Sequence, residues 1–297
     1  MAEELEIKLS LEPGVLAQAR DWLLAQPEAE KGSRKSLVNC YYDTPEAGLN
    51  QQQAALRVRQ AGNQYVQTLK TRGEFVDGAH KREEWEWPVP GPELSLALLA
   101  ETPLGDRINL ALLAPVFETN FTRQVVMLND GEAVIECALD DGVIAADGQE
   151  KPLHEVEFEL VSGDASRLLV WAEKLARQCP VFLNLVSKAE QGYHLAGLHP
   201  GVTDEDAGGH DSATDDVDRF LQQLSRAWLE QGRVSFTGLD IPVLEAGAEA
   251  CGQGQAFRLL IKDLSAGQPL HRVLGRPELG QCQLGLLANR VRESSGT

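Results

Sequence analysis

The sequence predicts an α+β protein whose centre is a closed β-sheet with a charged interior and helices outside it. Two observations carry that expectation. Charged residues fall at alternate positions in six stretches, the first being Glu4-Leu5-Glu6-Ile7-Lys8. Turn signals, Gly62-Asn63 and Asn129-Asp130-Gly131, separate runs of strand character. A strand points successive side chains to opposite faces, so Glu4, Glu6 and Lys8 share one face and Leu5, Ile7 and Leu9 the other. The pattern returns in Arg57-Val58-Arg59, Thr68-Leu69-Lys70-Thr71-Arg72 and Arg82-Glu83-Glu84-Trp85-Glu86. It returns again in Glu136-Cys137-Ala138-Leu139-Asp140 and Glu155-Val156-Glu157-Phe158-Glu159.

In chain order, residues 3–10 read as a strand. Residues 13–26 read as a helix, with Pro13 early in it and Val15, Leu16, Ala19 and Leu23 on one side. Short strands follow at 36–43, 54–60, 64–71 and 80–89, leaving 30–36 and 72–79 as loops. Residues 93–114 look helical, interrupted by Pro103 and closed near Pro115. A second set of strands covers 117–128, 132–139, 142–146 and 152–161, then helices 164–178 and 188–196. Gly201, Asp204, Glu205, Asp206, Gly208 and Gly209 mark 199–214 as a linker. Beyond it, Val217, Phe220, Leu221, Leu224 and Trp228 recur at helical spacing, and 241–293 is helical with glycine interruptions. The expected division is 1–198, a linker at 199–214, and a helical region at 215–297.

Composition excludes several classes. An apolar share of 43% over 297 residues supplies a core. No run of about 18 apolar residues occurs, so no membrane-spanning helix is expected. Met1 leads into a charged strand rather than a basic and then apolar leader, so no secretory signal is expected. Cys40, Cys137, Cys179, Cys251 and Cys282 are odd in number and widely spaced, as reduced thiols of a cytoplasmic protein would be. The six histidines lack zinc-ligand spacing. A net charge of −18 argues against a nucleic-acid partner, while a small anion can still be met by bases that converge locally.

The proposed inner face carries the bases Lys8, Arg57, Arg59, Lys70, Arg72, Arg82, Arg123 and Lys188. Its acids are Glu4, Glu6, Glu84, Glu86, Glu136, Asp140, Glu155, Glu157 and Glu159. Alternating charge on one strand is most often a solvated face. Repetition over six strands is different, because glutamates at every second position repel one another and strand propensity does not favour them. Acids that hold a divalent cation and bases that hold phosphates account for both signs, and a linear tri- or polyphosphate with metal suits that chemistry. Tyr41, Tyr42, Trp85 and Trp87 read as packing residues, and Ser187 as the cap of the helix after it.

These residues, in this order, resemble the CYTH superfamily of triphosphate tunnel metalloenzymes. The resemblance rests on Glu4-x-Glu6-x-Lys8, Tyr41-Tyr42-Asp43-Thr44-Pro45, Leu56-Arg57-Val58-Arg59, Thr68-Leu69-Lys70 and Arg82-Glu83-Glu84. It continues through Phe121-Thr122-Arg123, Ile135 to Gly142, Glu155 to Leu160 and Ser187 to Tyr193, and so spans about 1–196. It implies an eight-stranded antiparallel barrel, open at both ends, with triphosphate threaded through it. It also implies a metal, Mg²⁺ or Mn²⁺, on Glu4, Glu6, Asp140, Glu157 and Glu159. Arg57, Arg59, Lys70, Arg82, Arg123 and Lys188 would grip phosphates, and Lys8, Glu84 and Glu136 would serve the chemistry.

Three activities fit such a tunnel: hydrolysis of inorganic triphosphate, class IV adenylate cyclase chemistry on ATP, and non-catalytic polyphosphate or nucleotide binding. Ser187 to Ala196 and the two-part layout resemble bacterial inorganic triphosphatases that carry a helical CHAD domain after the tunnel. That favours the first activity, and the acidic set disfavours the third. The tail is shorter and less basic than a full CHAD domain, which leaves dimerisation or docking open to it. Triphosphate or another short polyphosphate is the expected partner, with neither nucleic acid nor membrane, and a homodimer is possible.

Overall fold

A computed structural model of the chain describes residues 2–71, 74–76, 79–102, 104, 107–198 and 216–294. Side chains are described for these except at 2–4, 74–76, 79–83, 293 and 294. The strands are β1 (Ala2–Ser10), β2 (Ala29–Asp43), β3 (Ala55–Ala61), β4 (Gln64–Lys70), β5 (Glu74–Val76), β6 (Ala79–Val89), β7 (Ala114–Asn129), β8 (Ala133–Ala146), β9 (Gln149–Gly163) and β10 (Phe182–Leu183). The helices are α1 (Val15–Leu24), α2 (Gly48–Gln51), α3 (Leu96–Ala100), α4 (Ser166–Ala176), α5 (Lys188–Leu195), α6 (Asp216–Leu229), α7 (Ile241–Ala250), α8 (Gly254–Ser265) and α9 (Pro277–Ser294).

All ten strands join one antiparallel sheet in the order β10-β1-β9-β8-β7-β2-β3-β4-β6-β5. A further pairing of β1 with β6 closes eight of them, β1 round to β6, into a ring. The expected barrel of eight is therefore present, with β5 and β10 added beside it.

The alternation read from β1 decides which side faces out. Ile7 and Leu9 are buried, together with Val156 and Phe158 of β9 and Ile135 and Cys137 of β8, beneath α1 and α4. Helix α4 contributes Leu168, Trp171, Ala172 and Leu175 from one stripe. Each fully buried leucine in this layer is worth about 1.5–3 kcal/mol. On the other side of the ring, Trp85 and Trp87 pack outward over Leu56, Leu69 and Leu99, as expected.

The β7–β8 turn falls at Asn129-Asp130-Gly131, with Gly131 at φ 86°, a conformation open to glycine. Asp130 secures it: Oδ1 accepts from the Glu132 and Ala133 amides, and Oδ2 from Arg167 Nε at 2.9 Å and Trp171 Nε1 at 2.8 Å.

Several boundaries differ from the sequence expectation. Residues 30–36 are strand rather than loop, since β2 pairs with β7 from Ala29 onward through an irregularity between Lys31 and Arg34. These residues are largely exposed, so no alternation of burial marks them. The two expected runs over 132–146 form the single strand β8. The helix expected over 93–114 shortens to α3 and a 3-10 turn at Leu110–Leu112. There Leu94, Ile108, Leu110 and Leu113 cover the tryptophan face from irregular backbone. Helix α1 starts at Val15, after Gly14 in a left-handed conformation, which leaves Pro13 ahead of it. The expected linker, 199–214, lies outside the described residues, as does Arg72.

The C-terminal helices form a core around Phe220, Leu224, Phe257, Leu260, Leu279 and Leu286, and Phe182 of β10 belongs to it. Leu221, Leu284 and Leu287 join the layer outside the ring instead. No described helix is long and apolar enough to cross a membrane.

Candidate active site inside the ring

Cross-strand register brings the charged positions to one surface. Glu6 stands opposite Glu159 and Lys8 opposite Glu157. Glu136 stands opposite Glu159 and Asp140 opposite Glu155. Arg123 is opposite Asp140, Asn39 opposite Arg59 and Tyr41 opposite Arg57. Lys70 is opposite Glu84. Directly opposed residues share a face, and in β1, β8 and β9 the other face is the apolar layer under the helices. Backbone pairing also sets Glu4 opposite Arg82, although both side chains lie outside the described residues.

The best-defined part of this surface is an ion-pair network. Asp140, fully buried, accepts from Arg123 Nε and Nη2, both at 2.7 Å. Arg123 Nη2 also reaches Glu157 at 2.6 Å. Lys188 Nζ lies 2.6 Å from Glu157, 2.9 Å from Asp140 and 2.9 Å from Glu155. Burial opposes charge on Arg123 and Lys188, yet the carboxylates raise the pKa of both well above the ordinary values. Lys188 and Arg123 in turn hold Glu157 well below the usual carboxylate range despite its burial.

Across the ring the balance differs. Arg59 Nε donates to Asn39 Oδ1 at 2.7 Å, and Asn39 is oriented by its own donation to the Thr119 carbonyl at 2.7 Å. Burial, then the neighbouring charges of Arg57 and Arg123, push the Arg59 guanidinium down to about 10. Burial raises the Tyr41 hydroxyl's pKa, but the Arg57 charge and hydrogen bond bring it below its ordinary value. Lys70 and Glu84 are paired at 3.2 Å.

Lys8 is 3% exposed, and its ammonium donates to the Val186 carbonyl. Burial lowers its pKa, Glu155 opposes that, and Lys188 adds to it. The chain after Val186 enters α5 through a capping box: Ser187 Oγ accepts from the Glu190 amide, and Glu190 accepts from the Ser187 amide. The expected cap is present.

Helix α5 is seated in one end of the ring. Tyr193 packs with Tyr41, Phe117, Phe121, Ile144 and Leu153 in one buried cluster. Its hydroxyl donates to Asp43 at 2.8 Å. Gly192 lies flat on Phe117, where a Cβ would come within 2.1 Å of the ring. Helix α5 is thus an apolar plug packed on the inner-face aromatic residues at this end of the ring.

The structure thus brings Glu6, Lys8, Arg57, Arg59, Lys70, Glu84, Arg123, Glu136, Asp140, Glu157, Glu159 and Lys188 to one inner surface. It divides the expected metal set, because Asp140 and Glu157 are engaged by Arg123 and Lys188. Among the described residues, no three metal-ligating side chains already stand as a cluster. Asn39, Gln191 and the Val186 carbonyl are participants that sequence reasoning missed. Gln191 Nε2 donates to Glu155 at 3.0 Å.

A sequence model of the CYTH domain matches residues 2–193. The chain belongs to the CYTH family. It is also 33% identical over 205 residues to an inorganic triphosphatase of Haemophilus influenzae. That match takes in 69% of this chain and 58% of the relative, so the chain spans rather more than half of the relative's length. Solved structures of similar shape include a putative adenylyl cyclase from Hippeastrum described as having a dominant triphosphatase activity. It has TM-score 0.49 and 19% identity, covering 64% of this chain and 94% of that one. A putative adenylate cyclase from Bacillus halodurans has TM-score 0.40 and 19% identity, covering 60% and 90%. The family assignment rests on the domain match.

Proposed function

We propose that this chain hydrolyses inorganic triphosphate to phosphate and pyrophosphate inside the ring, with Mg²⁺ or Mn²⁺. The observation that carries this reading is the convergence of Arg57, Arg59, Arg123 and Lys188 on one inner surface. Arg57 and Arg59 come from one strand and Arg123 from another; burial lowers the Arg59 pKa, and the charges of Arg57 and Arg123 lower it further. A polyanion among them relieves that repulsion, and arginine forks match phosphoryl oxygens. Kinship with an inorganic triphosphatase supports the choice of polyanion.

The carboxylate row suits a hard cation. Glu6, Glu159 and Glu136 face one another across adjacent strands, an arrangement that like charge disfavours and a divalent ion stabilises. Glu6 and Glu159, with Glu4, are the proposed ligands, with Glu136 standing beside them as the base, while Asp140 and Glu157 remain with Arg123 and Lys188. Once bound, the ion would offset charge developing on the phosphoryl oxygens.

The protein's own groups do the rest. Arg57, Arg59, Arg123 and Lys188 hold the phosphate chain in line, and Lys70, fixed by Glu84, holds its end. Arg82 joins them by its backbone register. Lys8 donates to an oxygen of the scissile phosphoryl group, and Glu136 accepts a proton from the attacking water.

Calorimetry in chelator-treated buffer tests the anion site without turnover. Triphosphate should bind wild-type protein, and Arg59→Ala should weaken it at least tenfold. Equal affinity in both would remove Arg59, and with it this reading of the inner surface.

A further inference from the structure

Residues 182–187 lead from β10 into α5 and pass Lys8 on the way, and both sides of this backbone are held. On the ring side, Leu9 pairs with Leu183, the Asn184 amide donates to the Lys8 carbonyl at 3.1 Å, and Asn184 Nδ2 donates to Ser10 Oγ at 2.9 Å. On the outer side the partners come from the C-terminal helices. Gln283 of α9, fully buried, accepts from the Leu183 amide and donates to the Leu183 carbonyl, both at 2.9 Å. Ser225 of α6, 2% exposed, accepts from the Leu185 amide at 3.1 Å. Gln283 thereby does for the edge strand β10 what a neighbouring strand would do, satisfying an amide and a carbonyl that burial would otherwise strand. Phe182 stacks on Trp228 of α6, with centroids 6.2 Å apart.

The same segment holds the site. Val186 presents its carbonyl to the Lys8 ammonium, and Lys188 follows two residues later to meet three carboxylates. We infer that the C-terminal helices are a positioning clamp for Lys8: Gln283 and Ser225 fix the 182–187 backbone so that the Val186 carbonyl holds the Lys8 side chain in the ring. This rests on the proposed role of Lys8 only for its kinetic consequence. The two lysines should respond unequally. Lys188 is tethered by carboxylates on β8 and β9, which the clamp does not touch, whereas among the described residues the Val186 carbonyl is the one hydrogen-bond acceptor of Lys8 Nζ.

The test uses the full chain, with Gln283→Met, close in shape but unable to make the paired bonds, and the milder Ser225→Ala. Acylation by a small lysine reagent, read residue by residue by mass spectrometry, reports Lys8 directly and needs no activity. Lys8 labelling should rise at least fivefold in Gln283→Met and by less in Ser225→Ala. Lys35 on β2 serves as an unchanged control, and the thermal midpoint should hold to within a few degrees. In turnover of triphosphate, kcat should fall at least tenfold with KM within a factor of three. Unchanged Lys8 labelling in both variants overturns the clamp. So does a rise at every lysine together with a collapsed midpoint in both, which would make the helices a general scaffold. Wild-type protein inert towards triphosphate would sink the proposed reaction instead, and the labelling would still judge the clamp.

Discussion

Lys188 and Glu157 meet at 2.6 Å inside the ring, and the same ammonium lies 2.9 Å from both Asp140 and Glu155. One cation at the start of a plug helix therefore ties together three buried carboxylates from two strands. This contact couples the plug to the ring and sets the acidic side of the site.

Removing that cation should be costly. Lys188→Met leaves Asp140 and Glu155 in a buried setting with less compensation, and breaking a buried pair costs about 3–5 kcal/mol. Urea denaturation should show a loss of that order. A midpoint equal to wild type would mean that these carboxylates are compensated by something other than Lys188.

The carboxylate row gives the opposite expectation. Glu6→Gln relieves repulsion with Glu159 across the β1–β9 pair, so the fold should survive with its thermal midpoint little changed. Metal-dependent turnover should drop by at least two orders of magnitude. Full activity in this variant would remove Glu6 from the metal assignment.

Asp130 provides a pH-linked test away from the site. Burial raises its pKa, but hydrogen bonds from Trp171, Ala133, Arg167 and Glu132 pull it well below the ordinary 3.8. A depressed carboxylate stabilises the fold above its unfolded pKa and loses that contribution as pH falls towards the folded one. Asp130→Ala should therefore cost about 2–3 kcal/mol at pH 7, with the gap to wild type narrowing below about pH 4. A gap independent of pH would locate the loss in packing alone.

The tail should not be dispensable. Leu221, Leu284 and Leu287 lie in the layer that covers β1, β8 and β9, and Gln283 satisfies Leu183. Truncation before Asp216 exposes that surface, and the product should be largely insoluble on expression. A soluble, active truncated protein would show that the ring completes its own core.

Much of the ring was legible because a strand's period of two is strict. Glu6, Lys8, Arg57, Arg59, Glu157 and Glu159 each alternate with an apolar or outward neighbour, and both signs of charge repeat. Asn39 was not legible, since one uncharged polar residue in a strand carries no signal until its two hydrogen bonds are seen. Strand β10 is two residues of an apolar run and offers no periodicity. The seating of α5 is a tertiary matter: Gly192 and Tyr193 make an ordinary helix on paper, and only Phe117 and Asp43 reveal the plug. Residues 93–114 have helical spacing of apolar side chains, but irregular backbone over Trp85 and Trp87 meets the same need for burial. The tail's apolar faces announced that they would be covered without saying by what.

The central claim is a triphosphate hydrolysed within a ring of opposed charges. It is tested most directly by offering the purified 297-residue protein inorganic triphosphate and ATP side by side, each with Mg²⁺ or Mn²⁺, and identifying the products. Phosphate and pyrophosphate from triphosphate, with ATP spared, is the predicted result. Cyclic AMP and pyrophosphate from ATP, or no product from either, would contradict it.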